Sequence, residues 1–223
     1  MTEVDGRTAR AERTRTLLVD AHLALIADGE LKPTARQVTE RAGVSPRTLW
    51  DHFTDMEAVM AASSRRQLEG QDAAALPADP NRPLDQRLAD YARHRAAVLE
   101  ALAPLARAAD VQRPFSPVLQ QNLRGNLDRI RAEAERVFAP ELDRFAPSAR
   151  ERAVLALTVA ADWASWQLLR HYLDRPVEEA TAVLQAAVAG ILSGAEPIHP
   201  ESLIPEHAAP DTNLPAPPKE GTT

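Results

Sequence analysis

The stretch AGVSPRTLWDHF, residues 42–53, places several hydrogen-bond donors close together. Arg47 can fork onto a guanine edge or a phosphate, and Thr48 can donate to a phosphate oxygen or touch a thymine methyl group. The indole of Trp50 and the imidazole of His52 can each donate one N–H group to a phosphate. This set of side chains indicates a surface for an anionic partner that itself offers few donors.

Capping residues predict two short helices around this stretch. Thr34 opens a Thr-x-x-Gln capping box, which predicts a helix that ends by Gly43. Ser45 can cap the next helix, and Pro46 suits its first position, where a missing N–H group costs nothing. We expect this second helix to end near Phe53. The unpaired N–H groups at both helix starts also attract phosphate.

Two short helices joined by a tight turn form the helix-turn-helix pattern, which lays its second helix in the DNA major groove. Val38, Val44, Leu49 and Phe53 are spaced to meet beneath the turn, which leaves the polar side chains outside. Plain packing units in all-α proteins have the same pattern, so the residues alone leave both interpretations open. The residues expected to contact DNA are Thr34, Arg36, Ser45, Pro46, Arg47, Thr48, Trp50 and His52.

The composition of the chain restricts its function. Its 223 residues are 44% hydrophobic and nearly lack strand patterns, so we expect an all-α fold with a sizeable core. The absence of cysteine excludes disulfides, thiolate metal sites and a cysteine nucleophile. The six histidines lack metal-ligand spacing, and the sequence contains no phosphate loop or nucleophile elbow. We therefore expect no enzyme activity, no metal and no cofactor.

Charge and hydropathy suggest where the protein acts. The net charge is -6, but residues 7–53 hold eight basic and six acidic residues, which favours a local nucleic-acid site over coating by the whole surface. The polar, arginine-rich start lacks the apolar segment of a secretory signal. The longest apolar run, 153–169, contains Asp162 and Gln167, so it predicts a buried helix and no membrane span. We expect a cytoplasmic protein without a membrane partner.

Proline and glycine divide the chain into regions. We expect a flexible N-terminus at 1–9, a three-helix DNA-binding domain at 10–55 and a connecting helix at 55–71. A larger helical domain should follow at 72–194. Residues 195–223 contain seven prolines and few large apolar side chains, so we expect a disordered tail. Outside the helix-turn-helix, the expected helices span 10–27, 84–102, 116–138, 148–173 and 177–193.

Residues 13–60 resemble the N-terminal domain of the TetR family of bacterial transcriptional repressors. The resemblance covers about a quarter of the chain and implies a homodimer that binds a DNA operator under the control of an unidentified small molecule. In this family the remaining helices form a divergent ligand-binding and dimerisation domain. The matching residues are Leu17, Leu18, Ala21, Gly29, Thr34, Val38, Ala42, Gly43, Val44, Ser45, Thr48, Leu49, Trp50, His52, Phe53 and Glu57.

Three residues depart from the family pattern. Trp50 stands where the family usually has tyrosine, which keeps a donor on a bulkier ring. Arg47 replaces a frequent glycine and adds a charge that can contact DNA. Met56 occupies the place of a common lysine that anchors phosphate. The loss of that lysine should flatten the salt dependence of DNA binding by about 0.9 in log-log slope.

The segments 148–173 and 177–193 are apolar nearly all round, which predicts burial on more than one side. The family resemblance implies that they form a four-helix dimer interface with a second copy. A closed helical hairpin inside one chain is the alternative. A two-fold dimer would also place two recognition helices one turn apart on a pseudo-palindromic operator.

Aromatic side chains with a few polar groups predict a small-molecule cavity in the larger domain. Aromatic residues at helical spacing also occur in ordinary cores, so this alternative stays open. Arg95 or His94 facing inward would favour an anionic ligand. A ligand-sequestering protein or an enzyme that keeps the fold without binding DNA is the competing hypothesis. The residues expected to line the cavity are Tyr91, Arg95, Phe115, Trp163, Trp166 and Gln167.

Overall fold

A computed structural model describes residues 2–73 and 79–194, and the expected tail at 195–223 lies outside them. The described chain is helical throughout and contains no strand, which confirms the predicted all-α fold. Its α-helices are α1 (Thr2–Ala27), α2 (Ala35–Ala42), α3 (Pro46–His52), α4 (Met56–Ala73), α5 (Leu84–Gln112), α6 (Pro117–Val137), α7 (Ala139–Leu142), α8 (Pro147–Ala160), α9 (Trp163–Gln167) and α10 (Val177–Ser193).

The first helix starts at Thr2, eight residues before the expected start at Arg10. The expectation that the chain up to residue 9 lies outside the helix is therefore corrected for residues 2–9. This segment contains Arg, Ala and Glu, which are strong helix formers, and no proline interrupts it. The helix ends where expected, because Gly29 just beyond it adopts a φ of 100°, a left-handed conformation that favours glycine.

The fifth helix continues through Pro104 to Gln112, ten residues past its expected end at 102. A proline inside a helix removes one backbone hydrogen bond, which usually ends or kinks the helix. Here Ala103 and Leu105 are both buried in the core on either side of the proline. This tertiary packing offsets the lost hydrogen bond and explains why the sequence rule set the boundary too early.

The expected single helix over 148–173 is interrupted, which corrects that prediction. Asp162 has an extended backbone, with φ -83° and ψ 161°, and its side chain accepts a hydrogen bond from the N–H group of Ala164. Aspartate is a strong N-cap and a poor residue for a helix interior, so α8 ends and α9 begins around it. After α9 the chain makes one π-helical turn over Leu168–Tyr172.

The chain has two main cores, one toward each end of the described residues, and the division into domains at 10–55 and 72–194 stays a prediction. Helices α1 to α4 enclose the first core, which includes Leu18, Val38 and Leu49. Helices α5, α6, α8 and α10 supply the second, around Tyr91 and Leu157. A smaller cluster joins the two parts: Ile26 and Met60 on one side, and Leu105, Ala108 and Leu119 on the other.

Candidate nucleic-acid interface and ligand cavity

The predicted capping box at the start of α2 is confirmed. The hydroxyl of Thr34 accepts a hydrogen bond from the backbone N–H of Gln37 at 3.3 Å. In return, the side-chain oxygen of Gln37 accepts from the backbone N–H of Thr34 at 2.8 Å. Both bonds satisfy donors that a helix start leaves without partners, so the first helix of the pair begins at a defined residue.

The turn and the cap of α3 also form as the sequence predicts. Gly43 follows α2 with a φ of 67°, which is left-handed and therefore suits glycine. The hydroxyl of Ser45 accepts from the backbone N–H of Thr48 at 3.2 Å and lies 2.9 Å from the Thr48 hydroxyl. Pro46 is the first residue of the helix. These local bonds set the direction in which α3 leaves the turn.

The two sides of α3 differ as predicted. Leu49 is fully buried beneath the turn, where it packs in the same core as Phe53. On the opposite side Arg47 and Trp50 are exposed, and 47% of Trp50 is accessible to solvent. Within the described chain neither side chain makes a hydrogen bond or an ion pair. Thr48 and His52 are half-buried, and Thr34, Arg36, Ser45 and Pro46 are exposed. All eight residues predicted to contact DNA thus lie on α2 and α3 or their caps.

Arg15 on α1 holds the end of α3, a role that the sequence analysis missed. Its guanidinium donates to the backbone carbonyl of His52 at 3.0 Å and lies 4.3 Å from the ring centroid of Phe53. The contact is a cation–π interaction combined with a charge-assisted hydrogen bond. Arg15 lies three residues before buried Leu18, and this helical spacing was the one indication that it faces the core.

A cavity of about 290 Å³ lies among α4, α5, α6 and α9, at the small end of the range for ligand sites. Its wall is mostly apolar, and the polar side chains come from α4, from α5 and the turn that follows it, from α6, and from α9 with its N-cap. The lining residues are Ser64, Leu68, Leu102, Leu105, Ala106, Ala109, Asp110, Arg113, Leu119, Asn122, Leu123, Asn126, Asp162, Trp163, Ala164 and Gln167.

Two of the six residues predicted to line a cavity, Trp163 and Gln167, line this one. The other four do not line it, and their assignment to a ligand site stays a prediction. Tyr91 is buried against Phe138, with ring centroids 5.1 Å apart, and burial raises the pKa of its hydroxyl. Phe115 is 86% exposed on the short 3₁₀ turn between α5 and α6.

Arg95 and Trp166 are buried away from the cavity, each with partners of its own. Arg95 donates to the backbone carbonyl of Ala161 at 2.8 Å and lies 3.8 Å from the carboxylate of Glu133. The indole of Trp166 donates to Glu100 at 2.8 Å. Helical spacing shows which residues share one face of a helix, but the direction of that face depends on how the helices pack.

His94, the other basic residue expected to favour an anion, does not line the cavity either, and neither does His171. His94 lies 3.3 Å from the carboxylate of Glu133, and exposed His171 is 2.9 Å from the guanidinium of Arg107. The basic residues that would have favoured an anionic ligand are therefore elsewhere. Among the described residues, no group of three or more His, Asp or Glu side chains could hold a metal ion.

The polar groups on the cavity wall fall into two classes. Asp110 is satisfied, because it accepts from the indole N–H of Trp163 at 2.9 Å and from the guanidinium of Arg113. The Oδ1 atom of Asp162 and the Nδ2 atom of Asn122 are buried without a hydrogen-bond partner. Sequence analysis missed these residues because isolated Asp and Asn side chains on long helices usually face solvent.

Comparison with known proteins identifies the fold. No family model matches the sequence, and no curated protein has a significantly similar one. A crystal structure of a transcriptional regulator from Rhodococcus sp. Rha1 is similar, with TM-score 0.59, 21% identity, and coverage of 85% of this chain and 99% of that one. The crystal structure of a proposed TetR-family transcriptional regulator from Mesorhizobium loti MAFF303099 is also similar. Its TM-score is 0.58 and its identity 19%, and the match covers 82% of this chain and 97% of that one. The chain has the TetR fold.

In this TetR fold, hydrogen bonds connect the small domain to the cavity side of the larger one. Ser116, which caps α6, donates to the carboxylate of Glu57 in the first turn of α4. The side chain of Gln112 donates to the carbonyl of Leu31 at 3.2 Å. Arg113, on the same turn as these contacts, lines the cavity. The cavity wall thus meets α4 directly at Ser64 and Leu68, and the turn after α5 meets it again at Glu57.

The TetR fold leaves apolar side chains exposed on its last helices. Leu155 and Val159 of α8 are 50% and 66% exposed, and Val183 of α10 is also exposed. Ala187 lies exposed further along α10. These helices are the ones that the sequence predicts for a dimer interface. Separately, no helix within residues 2–73 and 79–194 is long and apolar enough to cross a membrane.

Proposed function

We propose that this protein is a DNA-binding transcriptional repressor whose operator binding is modulated by a small molecule. The observation that carries this proposal is the geometry of α3. A capped helix, fixed from below by Leu49 and by Arg15, presents Arg47 and Trp50 to solvent without protein partners. Exposed donors on a rigid helix suit an anionic groove lined with acceptors.

The side chains on and around α3 would contact DNA in different ways. Arg47 and Thr48 point toward the groove and contact base edges or nearby phosphates. Trp50 and His52 donate to phosphate. The exposed helix starts at Thr34 and Ser45, together with Arg36 and Pro46, border the phosphate backbone on either side.

A mobility-shift experiment with the promoter DNA beside the gene tests this assignment. We expect Arg47→Ala and Thr48→Ala each to weaken binding by about tenfold, in line with about 1–3 kcal/mol for a specific base contact. Arg144→Ala, an exposed arginine of the larger domain, should bind like the parent. Circular dichroism and mass should be unchanged in all three variants.

Two outcomes would contradict the DNA-binding proposal. If both α3 variants retard operator DNA like the parent, α3 is not the recognition helix. If the parent retards no DNA, or does so independently of salt, a ligand-sequestering protein or enzyme of the same fold becomes the better hypothesis.

We also propose that the functional unit is a two-fold dimer formed through α8 and α10. One recognition helix alone would bind weakly, whereas two related by symmetry contact successive turns of a pseudo-palindrome. Leu155, Val159 and Val183 supply exposed apolar surface on these helices. Ala187→Arg should then give monomers in light scattering, while Ala132→Arg on the exposed side of α6 should remain dimeric. An unaltered dimer with Ala187→Arg would refute this interface.

The cavity supplies the proposed control of DNA binding. A ligand that fits one conformation of its wall better than another would shift the population between them. Ser64 and Leu68 in the wall, together with the contact between Glu57 and Ser116, would pass this shift to α4 and change the spacing of the two recognition helices.

A further inference from the structure

Two residues of the cavity wall each carry one buried polar atom that no protein group satisfies. The acceptor is Oδ1 of Asp162, in the break between α8 and α9, and the donor is Nδ2 of Asn122 on α6. Both residues line the same cavity. Nearly all buried polar groups in proteins have partners, and one that lacks a partner needs an explanation. Rotation of either side chain would turn its unpaired atom toward the cavity, where a bound molecule with a complementary group would pair with it.

The charges around the cavity differ in how well they are neutralised. The ionisable lining residues are Asp110, Asp162 and Arg113. Arg113 is paired with Asp110, whose other oxygen accepts from Trp163. Asp162 has no cation among its partners in the described chain, and its Oδ2 atom accepts only the N–H of Ala164 at 3.4 Å. The wall therefore carries one uncompensated carboxylate, which attracts cations and repels anions.

The remainder of the wall limits the shape and polarity of the occupant. Leu102, Leu105, Leu119 and Leu123 surround the space together with the indole of Trp163. A volume of about 290 Å³ corresponds to about ten water molecules at about 30 Å³ each. An aromatic or branched aliphatic group would bury its surface here, whereas a sugar or a nucleotide would leave many polar groups unpaired.

We propose that the effector is a mainly apolar molecule with a cationic nitrogen, which binds Asp162, and a hydrogen-bond acceptor, which binds Asn122. This inference rests on the proposed function, because it names the chemical class of the ligand that controls DNA binding. A rotation about the Cβ–Cγ bond of Asp162 exchanges its two oxygens, so either can face the ligand. Arg95, which would have favoured an anion, does not line the cavity, and the carboxylate of Glu133 at 3.8 Å offsets its charge.

Four small probes test the two halves of the proposal. N-(2-aminoethyl)benzamide carries the amine and the carbonyl acceptor, N-(2-hydroxyethyl)benzamide replaces the amine by a neutral hydroxyl, and N-benzoylglycine replaces it by a carboxylate. 4-Phenylbutylamine keeps the amine and lacks the carbonyl. Calorimetric titration of the full chain should rank the first probe tightest, by about tenfold or more over the hydroxyl analogue. N-benzoylglycine should bind most weakly.

Matched variants assign these preferences to single residues. Asp162→Asn keeps an oxygen that can cap α9 and removes the charge, so it should abolish the preference for the amine over the hydroxyl analogue. Asn122→Leu should abolish the preference for N-(2-aminoethyl)benzamide over 4-phenylbutylamine. Asp143→Asn, an exposed control, should change neither. Circular dichroism verifies that each variant is folded.

The inference is overturned if the amine and hydroxyl analogues bind equally, if N-benzoylglycine binds tightest, if Asp162→Asn keeps the amine preference, or if no probe binds at its solubility limit. Operator retardation measured in parallel separates this failure from failure of the proposed function. If the protein binds DNA but no probe, only the proposed ligand class is contradicted. If the probes bind with the expected preference but the protein retards no DNA, the proposed ligand class is supported and the proposed role as a DNA-binding regulator is contradicted.

Discussion

In the proposed DNA-binding region, α3 exposes Arg47 and Trp50 on a helix with a complete N-cap and a packed inner side. On the cavity wall, half-buried Asp162 and Asn122 each have one buried atom without a partner. Exposed donors remain bonded to water and cost little until DNA replaces that water. Buried groups without partners cost free energy in the empty protein. The surface of α3 therefore needs no rearrangement before it binds a partner. The cavity wall gains the most stability when a ligand pairs with its unpaired atoms.

The small and the larger domain also differ in the burial of their ion pairs. The pair Arg36–Glu40 on α2 spans 3.8 Å, and both side chains are largely exposed. In the larger domain, Arg87 binds Glu141 through two bonds of 2.6 and 2.8 Å, and both residues are buried. Arg87 also donates to the carbonyls of Arg82 and Val137, at 2.9 Å each. Surface pairs contribute little to stability, whereas a broken buried pair leaves an uncompensated charge.

The largest expected effect comes from breaking the buried pair. Arg87→Met should lower the free energy of unfolding by about 3–5 kcal/mol, because Glu141 remains buried without its partner. Arg36→Met, at the exposed pair, should change it by less than about 0.5 kcal/mol. Urea unfolding followed by circular dichroism measures both. Equal effects of the two substitutions would contradict the contrast between the regions. The double variant Arg87→Met with Glu141→Leu should recover much of the loss.

The second effect depends on pH and concerns the joint between α1 and α4. His22 is buried there, 2.9 Å from the hydroxyl of Ser63, and burial lowers its pKa to about 4. A histidine with a depressed pKa in the folded state favours folding fully above its unfolded pKa of about 6.5. As the pH falls from 6.5 to 4, the unfolded chain takes up the proton first and stability decreases.

This titration should cost about 3 kcal/mol in total, from about 1.4 kcal/mol for each unit of pKa shift. His22→Asn keeps a donor near Ser63 and removes the ionisation, so its stability should vary less with pH over this range. The other histidines are common to both proteins and cancel in the difference. Parallel pH curves of unfolding free energy for parent and variant would show that His22 does not titrate in this way.

A smaller effect is expected at the cap of α3. Ser45→Ala removes the acceptor for the N–H group of Thr48 and should destabilise the small domain by about 1 kcal/mol. Operator binding should weaken as well, because α3 loses its defined start. Ser148→Ala, an exposed serine near the start of α8, is the control and should alter neither property. Unaltered melting and DNA binding in Ser45→Ala would show that the core alone positions α3.

The smallest effect sharpens the description of the DNA contact. Met56, half-buried against the core of the small domain, stands where the family has a phosphate-binding lysine. Met56→Lys should steepen the log-log salt dependence of operator binding by about 0.9 if the new ammonium group neutralises one phosphate. Gln121→Lys on the exposed side of α6 adds the same charge far from the DNA and should leave the slope unchanged.

The local features of the small domain could be predicted from the sequence because each depends on neighbouring residues. Thr34 bonds to Gln37, Ser45 bonds to Thr48, and Gly43 bonds to Glu40 and Thr39, so these contacts join residues at most four positions apart. Short-range chemistry of this kind depends little on the remainder of the fold. The outward direction of Arg47 and Trp50 followed from the buried position of Leu49 on the same helix.

The cavity depended on contacts between residues far apart in the chain, and the sequence predicted it poorly. Trp163 meets Asp110 across 53 residues, and Trp166 meets Glu100 across 66. Helical periodicity assigned both tryptophans to a cavity. The packing of α5 against α9 places only Trp163 in the cavity wall. In the same way, core packing carries α5 past Pro104. The sequence by itself determined the helical class of the chain, the caps of α2 and α3 and the outward side of α3. The tertiary structure decided which buried groups lack partners, because that depends on every helix that meets them.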